Sequence, residues 1–175
     1  MKIKLVLFYF LANMIAGMEI QISIDKQELK VVDDEKTVKT YVISSSSYGE
    51  GSAEGSFKTP LGEHFIKKKI GDGVELGGRF EGRVFYGEIY PIYEMDEVYV
   101  DDDVVQTRIL WLSGLEEGKN KGKGVDSFER YIYIHGTPEE WLLGTKASKG
   151  CIRMANKDVI ELFDIVEENT KVIIK

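Results

Sequence analysis

The feature that most constrains this chain is a period-two alternation of apolar and polar residues near its start. In Glu19-Ile20-Gln21-Ile22-Ser23-Ile24-Asp25 every second side chain is isoleucine, which puts them on one face of an extended strand rather than along a helical stripe. Glu28-Leu29-Lys30-Val31-Val32-Asp33 and Thr37-Val38-Lys39-Thr40-Tyr41-Val42-Ile43 look similar, and short charged turns separate them. Further strands are expected over Phe65 to Ile70, Val104 to Leu112, Tyr131 to His135 and Thr170 to Ile174, all rich in β-branched or aromatic residues. Two segments read as short helices. Pro138 to Leu143 opens with a proline suited to a first turn; Lys157 to Glu168 follows a cap at Asn156 and carries Val159, Ile160, Leu162, Phe163 and Val166 as an apolar stripe. Ser44 to Ser56, Gly71 to Gly87 and Ser113 to Ser127 read as surface loops, with a substrate-covering flap as the less favoured alternative. A mostly β fold with one or two short helices is expected.

A length of 175 residues with 43% hydrophobic content supports one domain with a full core. Lys2 and Lys4, the apolar run Leu5 to Ala12 and the small residues ending at Gly17 read as a secretory signal over residues 1–17, leaving 18–175 as the mature domain. A bilayer span needs about 20 apolar residues, and Asn13 interrupts this run, so no membrane span is expected in the mature chain. Cleavage after Gly17 removes two lysines and no acid, taking the formal charge from −7 to −9. Such a surface argues against nucleic acid or an anionic bilayer as main partner, because both reward clustered Lys and Arg. One cysteine cannot form an internal disulfide, so in a secreted protein Cys151 is either an inert buried side chain or a working thiol.

The chemistry-bearing residues favour the working thiol. Cys151 lies in Ser148-Lys149-Gly150-Cys151-Ile152-Arg153-Met154, sixteen residues after His135 in Ile134-His135-Gly136-Thr137. A thiol and an imidazole, each beside a glycine, make a candidate nucleophile and base. The alternating run Tyr131 to His135 ends at Gly136, which sets the imidazole at a sheet rim. Gly150 lets the backbone approach a substrate carbonyl and aim amide N–H groups at it. If the segment is extended, Lys149, Cys151 and Arg153 project to one side, where two cations would favour thiolate and attract a substrate carboxylate. One Cys and two His cannot fill a four-ligand zinc site, and no cofactor fingerprint survives inspection, so neither metal nor cofactor is expected. His64 reads as structural and Asp101-Asp102-Asp103 as a solvated loop.

These residues resemble the peptidoglycan L,D-transpeptidases, the YkuD-type catalytic domain. The resemblance rests on His135-Gly136-Thr137, then Ser148 to Met154, then Asn156-Lys157-Asp158-Val159-Ile160-Glu161-Leu162, and it extends upstream to Lys58-Thr59-Pro60-Leu61-Gly62. It implies a β-sandwich with the active site at the rim of one sheet beneath a mobile loop. It further implies Cys151 as nucleophile, His135 as base, a backbone carbonyl of Gly136 or Thr137 orienting the imidazole, and Gly150 and Cys151 amides as the oxyanion hole. Arg153 matches an arginine of the pocket, Ser148 a turn residue holding the cysteine loop, and Lys149 stands where many members carry histidine or another residue.

The function this implies is a cysteine-dependent L,D-transpeptidase in the periplasm or cell wall. Its partners would be tetrapeptide stems of peptidoglycan, with a stem amine or a wall-attached protein as acyl acceptor. Hydrolysis of the same thioester, as an L,D-carboxypeptidase, is the near alternative. Papain-like and sortase-like peptidases fit less well by the order and spacing of Cys and His, and a non-catalytic wall-binding module with a buried cysteine is the rival outside enzymes.

Overall fold

The computed structural model describes residues 17–175, so the signal segment read before Gly17 lies outside the described residues. Ten strands follow in order: β1 (Glu19–Ser23), β2 (Glu28–Asp33), β3 (Lys36–Ser44), β4 (Gly62–Ile70), β5 (Gly78–Glu81), β6 (Val84–Ile89), β7 (Val105–Gly114), β8 (Tyr133–Gly136), β9 (Ile152–Met154) and β10 (Lys171–Ile174). Among the described residues one α-helix, α1 (Asn156–Ile165), precedes β10. Hydrogen bonding runs β4-β10-β1-β2-β3-β9-β8-β7, and β4 also pairs with β7, so eight of the strands form a closed circuit. The β5–β6 hairpin hangs from the start of β7. The expected mostly β architecture is found, with its edges joined by backbone hydrogen bonds. That closure leaves no open edge in the eight-strand circuit, and β6 is the free edge of the hairpin.

The alternation that opens the chain explains the interior. Ile20, Ile22, Leu29, Val31, Tyr41 and Ile43 point inward and meet Leu110, Leu112, Ile134, Ile152 and Met154 from the far side of the circuit. Full burial of each such side chain contributes about 1.5–3 kcal/mol. β7 and β8 are buried on both faces: Ile109, Trp111 and Tyr133 project outward into a second cluster with Phe80 of the hairpin. Cys151 packs against this outer cluster, so the sheet separates the thiol from the main core.

Several elements differ from the sequence expectation. The 71–87 stretch contains β5 and most of β6, joined by Gly82 and Arg83, both at positive φ (54° and 72°), as a tight two-residue hairpin turn needs. The first expected helix is only a 3-10 turn, Glu140–Leu142, because the chain leaves it at once to let the Gly144 N–H bond the Ile43 carbonyl at 2.9 Å. Asn156 is the first residue of α1 rather than its cap, and the Glu140 carboxylate accepts its N–H at 2.7 Å. The Ser113–Ser127 loop is pinned. Asn120 donates to the Leu61 and Glu63 carbonyls at 3.1 and 3.0 Å, and Ser127 lies 2.9 Å from the His64 ring. Among the described residues no helix is long and apolar enough to cross a membrane.

Candidate active site

The parallel pairing of β8 with β9 sets the site. Ile134 lies opposite Ile152 and His135 opposite Arg153, so the alternation sends Tyr133, His135, Cys151 and Arg153 to the outer face while Ile134 and Ile152 fill the core. Cys151, one residue before β9, and His135 are therefore diagonal neighbours on one face. The imidazole is fully buried. Its Nδ1 lies 2.7 Å from the Gly136 carbonyl, and a carbonyl can only accept, so Nδ1 carries the proton. Nε2 is left with a lone pair and, among the described residues, has no hydrogen-bond partner. Gly136 has to be glycine: a Cβ there would lie 2.3 Å from Asn156 Oδ1 and 2.9 Å from the Gln106 carbonyl.

The thiol is held as a thiol. Its S–H donates to the Tyr131 carbonyl at 3.3 Å, and the sulfur accepts the Tyr133 N–H at the same distance. Although Cys151 is only half-buried, desolvation pushes its pKa up to about 12, and the Asp103 charge adds to this, against the Tyr133 N–H and the cations Arg153 and Arg130. Burial also moves His135 below its ordinary 6.5, opposed by Asp103 and the Gly136 carbonyl. The resting pair is therefore neutral thiol and neutral imidazole, not the thiolate that two neighbouring cations were expected to favour.

The loop carrying the cysteine is tied from below. The Ser148 hydroxyl donates to the Cys151 carbonyl at 2.6 Å and accepts the Gly150 N–H at 3.2 Å. Thr59, in the Thr-Pro-Leu-Gly turn, donates to the Gly150 carbonyl at 3.0 Å. Ser46 bridges to Ser148 alongside, so the front of the 44–56 stretch is a buried wall of the loop. Gly150 sits at φ 122°, a region L side chains avoid.

A strap of irregular chain between β6 and β7 closes the His135 side. The Tyr93 N–H bonds the Pro138 carbonyl at 2.7 Å, the Trp141 indole bonds the Val98 carbonyl at 3.1 Å, and the Tyr99 ring meets Trp141 edge-on at 4.8 Å. At its end, Asp103 pairs with Arg153, whose guanidinium also holds Glu139 at 2.8 Å.

A family model, the YkuD L,D-transpeptidase catalytic domain, matches residues 17–174. The chain belongs to that family. The YkuD protein of Bacillus subtilis is 58% identical over 46 residues, 26% of this chain and 28% of that protein. The YqjB protein of Bacillus subtilis is 44% identical over 52 residues, 30% of this chain and 28% of that protein. The matched segments thus span less than a third of these relatives. Among solved structures, L,D-transpeptidase 3 of Mycobacterium tuberculosis with a faropenem-derived adduct aligns with a TM-score of 0.54 at 16% identity, over 91% of this chain and 60% of that one. The L,D-transpeptidase of Xylanimonas cellulosilytica gives 0.52 at 19% identity, over 91% and 60%. At such identities the likeness carries the fold.

Within this L,D-transpeptidase domain several expected roles move. Of the two orienting carbonyls, Gly136 holds the imidazole, while the Thr137 carbonyl takes the Asn156 amide at 2.8 Å. The Gly150 N–H is turned inward to Ser148, so it does not face the cleft as an oxyanion donor would. Ser148 is fully buried and its hydroxyl is consumed by the loop, which makes it a positioning residue and not a substrate contact. Arg153 is 4% exposed and neutralised by two carboxylates, and Lys149 is exposed beyond the loop. The Asp101–Asp103 run is not all solvated, because Asp103 is the strap's ionic anchor. Sequence reasoning read Asn156 as a helix cap and motif residue rather than as a support of the Thr137 carbonyl, and it missed Glu139, whose signal was its place directly after Thr137-Pro138.

Proposed function

We propose that this domain is a cysteine-dependent L,D-transpeptidase acting on peptidoglycan tetrapeptide stems on the outer side of the cytoplasmic membrane, with residues 1–17 as its export signal. The observation that carries the reading is the imidazole tautomer. With Nδ1–H committed to Gly136, the buried Nε2 lone pair is the proton acceptor on the face that also bears the thiol. The family membership and the pinned Gly150–Cys151 turn support it.

The chemistry follows from that arrangement. Rotation of the Cys151 side chain away from the Tyr131 carbonyl brings Sγ toward Nε2, which takes the S–H proton as sulfur attacks the carbonyl between the third residue and terminal D-Ala. The C–N bond breaks, the departing D-Ala amine receives the proton from His135, and a thioester remains on Cys151. An amine of a second stem, or of a wall-attached protein, then attacks the thioester. It gives its proton to Nε2, which returns it to the leaving sulfur. Because desolvation favours the neutral thiol, His135 Nε2 is the group that takes the proton as sulfur attacks.

Incubation with defined tetrapeptide muropeptides, read by mass spectrometry, tests the proposal. Cross-linked dimer with loss of one D-Ala is the expected product. Tripeptide alone would establish the carboxypeptidase instead, and unchanged substrate would refute both. Cys151→Ala should remove all product, and His135→Gln should slow turnover by about 10²–10⁴.

A further inference from the structure

We propose that Arg83, at the tip of the β5–β6 hairpin, is the carboxylate-binding residue beside Cys151, a role that the sequence pattern alone would give to Arg153 and Lys149. That the carboxylate belongs to the acyl donor rests on the function proposed above; that the site takes a carboxylate does not.

The partners of the five arginines single it out. Arg153 is sealed between Asp103 and Glu139. Arg79 takes the acids of the hairpin region, Glu81 at 3.6 Å, Glu88 at 3.4 Å and Asp102 at 3.9 Å. Arg108 is buried against the Val74 and Thr107 carbonyls, both at 2.7 Å. Arg130 spans the Gly51 and Lys58 carbonyls at 3.3 and 2.7 Å. Arg83 makes one hydrogen bond, to the Tyr133 hydroxyl at 3.3 Å, and among the described residues no carboxylate pairs with it. With Glu81 and Glu88 drawn off by Arg79, the hairpin leaves its tip cation uncompensated.

Arg83 is half-buried at the rim of an aromatic cluster. The guanidinium lies over the Tyr131 ring at 4.8 Å and the Trp111 ring at 5.0 Å. Stacking fixes the plane of an arginine while leaving its N–H edge free for a bidentate carboxylate. Trp111 is itself fixed by Phe128, stacked at 4.0 Å, and by Tyr133, edge-on at 5.5 Å. The residues beneath Arg83 are also those that hold the thiol: Tyr131 through its carbonyl and Tyr133 through its N–H. The aromatic cluster of Trp111, Tyr131 and Tyr133 therefore borders both the nucleophile and the cation. Lys68 from β4 lies 5.9 Å from the Trp111 ring, and the charges felt by the neighbouring thiol are Asp103, Arg153 and Arg130.

Alkylation of Cys151 tests this without relying on turnover. N-iodoacetyl-alanine and its carboxamide differ only in the terminal charge. In each, Sγ displaces iodide, an S–C bond forms as the C–I bond breaks, and the thiol proton passes to solvent. The wild-type protein should react faster with the carboxylate probe than with the amide, relative to free cysteine. Arg83→Gln should lower that ratio about tenfold, Arg83→Lys should restore part of it, and Lys149→Gln should leave it unchanged. An equal effect of Arg83→Gln on both probes, or a ratio set by Lys149, would overturn the assignment. If muropeptides are never turned over, the functional reading fails while this ratio still decides whether Arg83 binds a carboxylate.

Discussion

At the scale of single residues, the site is set by which protons its surroundings allow. A thiol whose pKa is pushed up to about 12 leaves about one part in 10⁵ as thiolate at pH 7. Cys151 should therefore be a sluggish nucleophile toward simple alkylators, with a rate that keeps rising through pH 9 where an exposed cysteine levels off. Stopped-flow alkylation across pH would show this, and a plateau near 8 would contradict it. Turnover should follow His135 instead. Burial moves that imidazole below its ordinary 6.5, so the neutral base is fully present at pH 7, and kcat/KM should decline only when pH falls below 6.5. The two profiles separate because one reads the lone thiol and the other reads proton transfer to Nε2.

At the scale of elements, the junction between β8 and α1 carries the geometry. Asn156 opens the helix, donates to the Thr137 carbonyl at 2.8 Å and bonds the Thr107 hydroxyl at 2.5 Å, while its Oδ1 lies against the bare Cα of Gly136. Gly136→Ala should force β8 and α1 apart, costing about 1–3 kcal/mol in thermal unfolding and lowering kcat more than it raises KM, because the Gly136 carbonyl that aims His135 moves with the strand. A variant with wild-type kcat would show that this contact does not hold the imidazole. Little of this junction was legible beforehand. The pairing of β8 with β9 depends on a three-residue strand, and a run that short between Gly150 and Asn156 carries no period. The long alternating strands β1 to β3 and the apolar stripe of α1 were legible because each buries one face. The hairpin was hidden because glycine at positive φ looks the same in a turn as in a flexible loop. Asp103, Glu139 and Arg153 lie up to 50 residues apart, and charged residues at such separations look like surface until a strap brings them together.

At the scale of the whole molecule, β4 completes the circuit by pairing with β10 on one side and β7 on the other, and His64 sits in it opposite both Val172 and Gly114. Its ring is fully buried, with Nδ1 3.0 Å from the Gly62 carbonyl and Nε2 2.9 Å from the Ser127 hydroxyl. Nδ1 therefore donates, and Nε2 accepts from serine. Protonation would place a second donor against that hydroxyl and a charge inside the seam, and burial accordingly lowers the His64 pKa from 6.5 to about 4. The unfolded chain takes up this proton first as pH falls, so the contribution to stability is complete above pH 6.5, is lost between 6.5 and about 4, and changes no further below that. The loss amounts to about 3 kcal/mol. Denaturant melts across this window should show the slope in the wild type and a much shallower one in His64→Gln, whose amide can keep both bonds without titrating. Equal slopes would mean that the closing strand does not govern acid stability. The consequence reaches the catalytic face, since β7 is shared by the seam and by the Trp111 platform beneath the thiol. Acid opening at β4 should therefore change the alkylation rate of the half-buried Cys151 at the same pH at which the seam fails.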